Sequence, residues 1–169
     1  MKNCLIRPET PKDIEAIQQV TEAAFLHAAH TDHTEQFIVN ALRRAGQLTV
    51  SLVADREGQV IGHIALSPVT ISDGAEHWYG LGPLSVTPDF QRQGVGVRLV
   101  QAALNTVRGL RARGCVVLGD PNYYSRFGFR AEPSLRYPGV PAEYFQSLVI
   151  QGTLPTGRVS YANAFGAKC

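Results

Sequence analysis

The stretch Leu84-Ser85-Val86-Thr87-Pro88-Asp89-Phe90-Gln91-Arg92-Gln93-Gly94-Val95-Gly96 constrains this chain more than any other. It leads from an apolar strand through a polar turn into a helix whose buried face is traced by Val97, Val100, Ala103, Leu104, Val107 and Leu110, ending near Gly114. The first N–H groups of a helix have no intrahelical partner and carry partial positive charge, so a helix start without side-chain bulk can wrap a phosphate. Gly94 and Gly96 supply that access. Cys115 to Leu118 follows as a continuous buried-type strand, completing a strand–loop–helix–strand unit.

Two phosphate-binding loops compete for this glycine pair, beside a plain helix start with no ligand. A dinucleotide fingerprint needs a third glycine where Leu99 stands, and an acid about twenty residues further on, where Val116 and Val117 stand. A Walker loop needs Gly-Lys-Ser/Thr, which is missing. The remaining pattern, Q/R-x-x-G-x-G/A, is one that holds a pyrophosphate.

Upstream, Cys4 to Arg7 reads as a strand, and Thr10-Pro11-Lys12-Asp13 supplies an N-cap, a first-position proline and a first-turn acid. The helix that follows, with Ile14, Ile17, Val20, Thr21, Ala24 and Phe25 on one face, is expected to run to about Ala28. Thr34 to Arg44 predicts a second helix, stopped by Gly46. Leu48–Ala54 and Val60–Ser67 predict an antiparallel hairpin around Asp55-Arg56-Glu57-Gly58, with Val69–Ile71 extending its second strand. Trp78 to Thr87 predicts a fourth strand. Gly82 and Pro83 inside it signal either a bulge or a backbone facing something other than a neighbouring strand. Phe145–Ile150 and Gly157–Tyr161 are further candidate strands.

A chain of 169 residues suits one domain, and 44% apolar with 18% charged residues predicts a packed fold. Met1 to Glu9 lacks the apolar core of a signal peptide, and no stretch approaches the ~18 apolar residues of a spanning helix. A cytoplasmic protein with no membrane partner is therefore expected. The net charge of +2 comes from dispersed Lys and Arg, so no nucleic-acid partner is expected. Cys4, Cys115 and Cys169 are widely spaced and odd in number, which argues against a disulfide framework or a zinc site and predicts that Cys4 and Cys115 are buried.

The segment as a whole resembles the GNAT superfamily of acetyl-coenzyme A-dependent N-acetyltransferases, in which L-x-V-x-P-x-x-Q/R-x-x-G-x-G joins the fourth strand to the third helix. Leu84, Val86, Pro88, Gln91, Gly94 and Gly96 match. Tyr123-Tyr124-Ser125-Arg126-Phe127-Gly128-Phe129 matches a second motif after the fifth strand, and Gly119-Asp120-Pro121 with Gly80-Leu81-Gly82-Pro83 is similar to the bacterial YhbS-like branch. The resemblance covers nearly the whole chain. It implies an α+β fold: a mixed, mostly antiparallel sheet of about seven strands flanked by about four helices, with the fourth and fifth strands splayed.

The resemblance further implies acetyl-CoA as cosubstrate and no metal. The pyrophosphate would be held by backbone amides of Arg92, Gln93, Gly94, Val95 and Gly96, with help from the side chain of Gln91 or Arg92. The pantetheine arm would pair with Leu84, Ser85 and Val86, and the Leu84 N–H would stabilise an oxyanion. Tyr124 matches the family's general acid, or else only packs against the cofactor. Because a phenol of pKa about 10 must protonate a thiolate of about 8.5, assistance in the transition state or a lowered Tyr124 pKa would be required. Tyr123, Phe127 and Phe129 read as packing residues. Among Arg92, Arg98, Arg108 and Arg126, the preferred partners for the 3′-phosphate are Arg126 and Arg92. One departure stands out: Val117 to Asp120 occupies a stretch where many members carry an asparagine.

The acceptor is expected to be a primary amine, whose base or water relay the motifs do not identify; Glu35, His63, Glu76 and His77 are candidates. His27, His30 and His33 recur every third residue but read as a solvated loop bordering the acceptor rather than as metal ligands. No cysteine matches a catalytic position, so direct attack on the thioester is expected. The alternative is a non-catalytic acyl-CoA sensor or scaffold. A C-terminal strand at a sheet edge would favour a homodimer.

Overall fold

The computed structural model describes residues 3–29 and 31–169, so His30 lies outside the described residues. The chain enters along β1 (Cys4–Pro8), and a 3-10 turn (Pro11–Asp13) carries it into α1 (Ile14–Phe25). The Thr10 N–H donates to Asp13 Oδ2 at 2.7 Å, and the Arg7 guanidinium grips the same buried carboxylate at 2.7 and 3.0 Å. α1 stops three residues short of the expected Ala28. Leu26 is exposed, so another turn would have no face to bury.

α2 (Glu35–Arg44) follows, and Gly46 beyond it takes a left-handed φ of +69°. β2 (Val50–Arg56) and β3 (Gln59–Ile71) form the expected hairpin. Its two central residues, Glu57 and Gly58, have φ of +54° and +90°, which matches the twist of the strands. β4 (Trp78–Val86), α3 (Val95–Gly109) and β5 (Gly114–Leu118) make the strand–loop–helix–strand unit. A single turn, α4 (Pro121–Tyr124), then leads through the two-residue β6 (Leu135–Arg136) to β7 (Phe145–Val149) and β8 (Gly157–Tyr161).

The sheet runs β1-β2-β3-β4-β5-β7, and all its neighbours are antiparallel except the parallel pair β4–β5. Among the described residues there are eight strands where about seven were expected, because β6 is too short to show a period in sequence. The C-terminal strand is an edge over part of its length: β6 pairs parallel with Gly157 and Arg158, while Val159 to Tyr161 pair antiparallel with the far half of β3 alone.

On one face α3 buries Leu99, Val100, Ala103, Leu104 and Val107 against Leu52, Ala54, Ile64 and Leu66 of the sheet. On the other, Ile17 and Val20 of α1 meet Val39 of α2 and Val53 of β2, and the apolar surface continues at Val69, Trp78, Val116 and Val159. Each fully buried branched side chain contributes about 1.5–3 kcal/mol relative to exposure.

Candidate functional site

β4 is the strand on which the site is built. It pairs with β5 only from Trp78↔Gly114 to Leu81↔Val117. On its other side the register with β3 jumps from Leu66↔Leu81 to Ile64↔Leu84, so Gly82 and Pro83 form a bulge at the level where the β5 pairing stops. Both readings of these two residues therefore hold together.

Past the bulge, β4 shows its backbone to the gap. Thr87 N–H donates to the Ile61 carbonyl of β3 at 2.9 Å. In an antiparallel ladder a residue's N–H and C=O point the same way and alternate along the strand. Ser85 therefore turns toward β3, while Leu84 and Val86 turn away from it. The Val86 carbonyl is met outside the sheet by Gln91 Nε2 at 3.0 Å. This corrects the assignment of Ser85 to ligand binding: its backbone faces β3 and its side chain is buried on the opposite face of the sheet from Leu84.

The loop after β4 lays open the start of α3. Arg92 and Gly94 have φ of +59° and +85°, and Gly94 is an N-cap with no side-chain hydrogen bond. No acid occupies the helix's first turn. The positive end of a four-turn helix is thus left for an anion. It faces a cleft of about 500 Å³ lined by Phe25, Leu84, Val86, Gln91, Arg92, Gly94, Gly96, Tyr123 and Arg126 among others. A second cleft, of about 470 Å³, shares Phe25, Leu84 and Tyr123 and extends past Gly82 and Pro83 to Gly119 and Tyr124. The two clefts adjoin at these shared side chains, one at the helix N-terminus and the other at the β4–β5 gap.

The other expected contacts divide. The Gln93 side chain donates back to the Asp89 carbonyl at 3.0 Å, and that of Val95 is buried in the core, so only their backbone amides are available to a ligand. Arg126 lies over the Tyr123 ring, 4.7 Å from its centroid, at the cleft. Arg98 is spent on the Cys4 carbonyl at 2.8 Å, and Arg108 sits at the far end of α3 against Asn105. Glu76 and His77 are exposed at the start of β4, away from the gap.

Tyr124 packs edge-on against Tyr123 and Phe129, with ring centroids 5.0 and 5.9 Å away, and its ring covers Gly119. Burial, with a smaller push from Tyr123, raises its pKa above that of a free phenol. The lowered pKa named above as one route is not found. The phenol is therefore neutral and keeps a proton to give.

His63 is fully buried, and desolvation lowers its pKa from 6.5 to about 4. The Ser51 hydroxyl gives its proton to Glu9, so it can only accept from His63 Nε2, at 2.8 Å; the imidazole is therefore the Nε2–H tautomer. Glu9 in turn pairs with Arg43 of α2 at 3.0 Å. This chain ties α2 to the sheet and touches neither cleft, so His63 is not placed to deprotonate a substrate. Glu35 lies at the first position of α2, bonded to Thr31 through Oε1, with Oε2 buried and unpartnered. Among the described residues no group of His, Cys, Asp and Glu could hold a metal ion, and no helix is long and apolar enough to cross a membrane. Cys4 and Cys115 are buried free thiols, the latter pushed up to about 12 by burial, and Cys169 is exposed.

Phe25 was legible only as a core residue of α1, yet it lines both clefts and a further cavity of about 320 Å³ with Glu22, Leu26, His33 and Gln36. Tyr123, read as packing, reaches Gly96 so closely that a Cβ there would stand 2.7 Å from its hydroxyl.

Residues 47–131 match the family model of the acetyltransferase (GNAT) domain. The chain is 36% identical to the uncharacterized N-acetyltransferase YhbS of Escherichia coli K12 over 95% of its own length and 98% of that protein's. Among solved structures, a GNAT family acetyltransferase from Brucella melitensis in complex with acetyl-CoA superposes with a TM-score of 0.87 at 48% identity, covering 98% of this chain and 99% of that one. YhbS from Escherichia coli in complex with CoA gives 0.88 at 34% identity, covering 97% and 92%.

Proposed function

Given that the chain belongs to the GNAT family of acetyl-CoA-dependent N-acetyltransferases, we propose that it acts as one domain that passes the acetyl group of acetyl-CoA directly to a primary amine in the gap between β4 and β5. The observation that carries this reading is the pair of adjoining clefts, which set an anion-accepting helix end beside unpaired strand backbone and a neutral phenol.

The amides of Arg92 to Gly96 would take the pyrophosphate, with Gln91, Arg92 and Arg126 at the rim. The outward C=O of Leu84 and N–H of Val86 would pair with the amides of pantetheine, as a neighbouring strand would, leaving the Leu84 N–H free. This brings the thioester beside the bulge.

The neutral amine attacks the thioester carbon. A C–N bond forms, and negative charge collects on the carbonyl oxygen, where the Leu84 N–H is a preorganised donor. As the C–S bond breaks, Tyr124 gives its hydroxyl proton to the departing sulfur and regains one from solvent; the surplus proton of the nitrogen leaves to solvent. Burial raises thiol and phenol together in this apolar gap, so the transfer stays near balance when it is concerted with C–S cleavage. With no cysteine lining either cleft, an acetylated enzyme is not required.

Calorimetric titration with acetyl-CoA, followed by thiol release over a panel of small amines, amino acids and peptides, tests the reading. Binding with amine-dependent thiol release is expected; failure to bind acetyl-CoA would overturn it.

A further inference from the structure

The two adjoining clefts carry opposite charge. The one at the start of α3 is lined by the cations Arg92 and Arg126 beside the positive helix end, which suits phosphates. The one at the β4–β5 gap has, among its described residues, a single charged side chain, the carboxylate of Asp120. Phe25, Pro83 and Leu118 give that cleft an apolar wall, and Tyr124 lines it as well.

Asp120 is fixed there by its neighbours. Gly119 donates its N–H to the Tyr144 carbonyl at 3.0 Å and accepts from Gln146 Nε2 at 3.1 Å, which holds the end of β5 against the start of β7. The Asp120 carbonyl accepts from the N–H groups of Tyr123 and Tyr124, both at 3.0 Å, so the carboxylate and the proton-donating phenol sit on one turn of chain. Asp120 Oδ1 caps that turn, accepting from the Asn122 N–H at 2.9 Å. Capping occupies one oxygen and needs no charge, since asparagine caps as well as aspartate. The residue is exposed, and among the described residues Oδ2 has no hydrogen-bond or ion-pair partner.

Resting on the function proposed above, we infer that Asp120 selects the acceptor: its free carboxylate oxygen receives the ammonium group of a primary alkylamine at the gap, with the carbon chain along Phe25, Pro83 and Leu118. The two clefts then sort the substrates by charge, phosphates toward α3 and the cation toward the end of β5. The ammonium sheds one proton to solvent before attack, and the neutral amine keeps an N–H bond to Asp120 while its lone pair faces the thioester. Asp120 itself gives and takes no proton. An amine with a carboxylate on the neighbouring carbon brings like charge to Asp120, so the acceptor is an alkylamine rather than an α-amino acid.

Asp120→Asn separates this role from capping, because the amide keeps the cap and removes the charge. The variant should melt as the wild type does and bind acetyl-CoA with unchanged affinity. Amine binding is read by ¹H–¹⁵N NMR of the coenzyme A complex, titrated with propylamine, a cation at neutral pH, and with propanol, its uncharged analogue. Propylamine should move the amide signals of Gly119, Asp120 and Tyr124 saturably in the wild type. Its affinity should fall roughly three- to tenfold in Asp120→Asn, the effect of losing a charge-assisted hydrogen bond at an exposed site. The substitution should leave the propanol response unchanged. Glycine should bind more weakly than propylamine to the wild type, and the difference should shrink in the variant. For any cationic amine turned over, the same factor should appear in KM and not in kcat. Equal propylamine affinity in wild type and variant, or signals indifferent to propylamine, would overturn the inference. So would a loss of acetyl-CoA affinity in Asp120→Asn, which would assign the carboxylate to the cofactor. Failure of the wild type to bind coenzyme A would instead strike the function on which the inference rests, and shows in a separate titration.

Discussion

Leu81 and Val117 form the last rung between β4 and β5, and no later residue of β4 pairs with β5. The strand continues past the bulge at Gly82 and Pro83, so Leu84 and Val86 present backbone to an open cleft instead of to a sheet. The site is thus a place where a ladder is left unfinished.

Tyr124 lines the cleft at that gap. Tyr124→Phe keeps the ring that covers Gly119 and removes only the proton donor. Loss of a general acid lowers kcat by roughly two to four orders of magnitude. Thiol release should show that loss while calorimetry finds acetyl-CoA binding unchanged. Unaltered turnover would reduce Tyr124 to packing.

Gly96 is helical, so alanine there should improve the helix by up to about 1 kcal/mol. Its Cβ would nevertheless stand 2.7 Å from the Tyr123 hydroxyl and push that ring into the cleft. Gly96→Ala should therefore melt at or above the wild-type temperature and bind acetyl-CoA at least several-fold more weakly. The two measurements moving together in the same direction would contradict this.

His63 sets a pH dependence of stability. Its pKa falls from 6.5 to about 4 on folding, chiefly by desolvation, with Glu9 acting in the raising direction and Arg43 in the lowering one. Between those values the unfolded chain takes up a proton that the folded one refuses, so stability is full above pH 6.5 and declines as the pH falls toward 4. A displacement of that size is worth about 3 kcal/mol. Urea unfolding across this range should show the decline, and His63→Gln, which keeps a donor for Ser51, should flatten it.

Gly114 opens β5 where the fold is tightest. A Cβ there would meet the Trp78 ring at 2.3 Å and the backbone oxygen of Leu148 at 2.6 Å. The ring is fully buried and the oxygen belongs to a paired strand, so neither can yield cheaply. Gly114→Ala should destabilise by about 1–3 kcal/mol, read as a lower urea midpoint.

Local chemistry wrote much of this into the sequence. The proline and acid after Thr10, the turn at Glu57-Gly58, and the helix that opens at Gly94 each depend on a few adjacent residues, and each appears where its residues predict it. The phosphate-accepting helix start was legible for the same reason: it needs only backbone amides and the absence of side chains. What the sequence could not decide were relations between segments distant along the chain. That Ser85 faces β3 while Leu84 faces the cleft follows from the β3–β4 register. That the pKa of Tyr124 rises, and that His63 is a tie within the fold, follow from burial by other elements. Phe25 entered the site because α1 ends beside the β4–β5 gap. Periodicity shows that a residue has a buried face, whereas which atoms bury it depends on how the strands align.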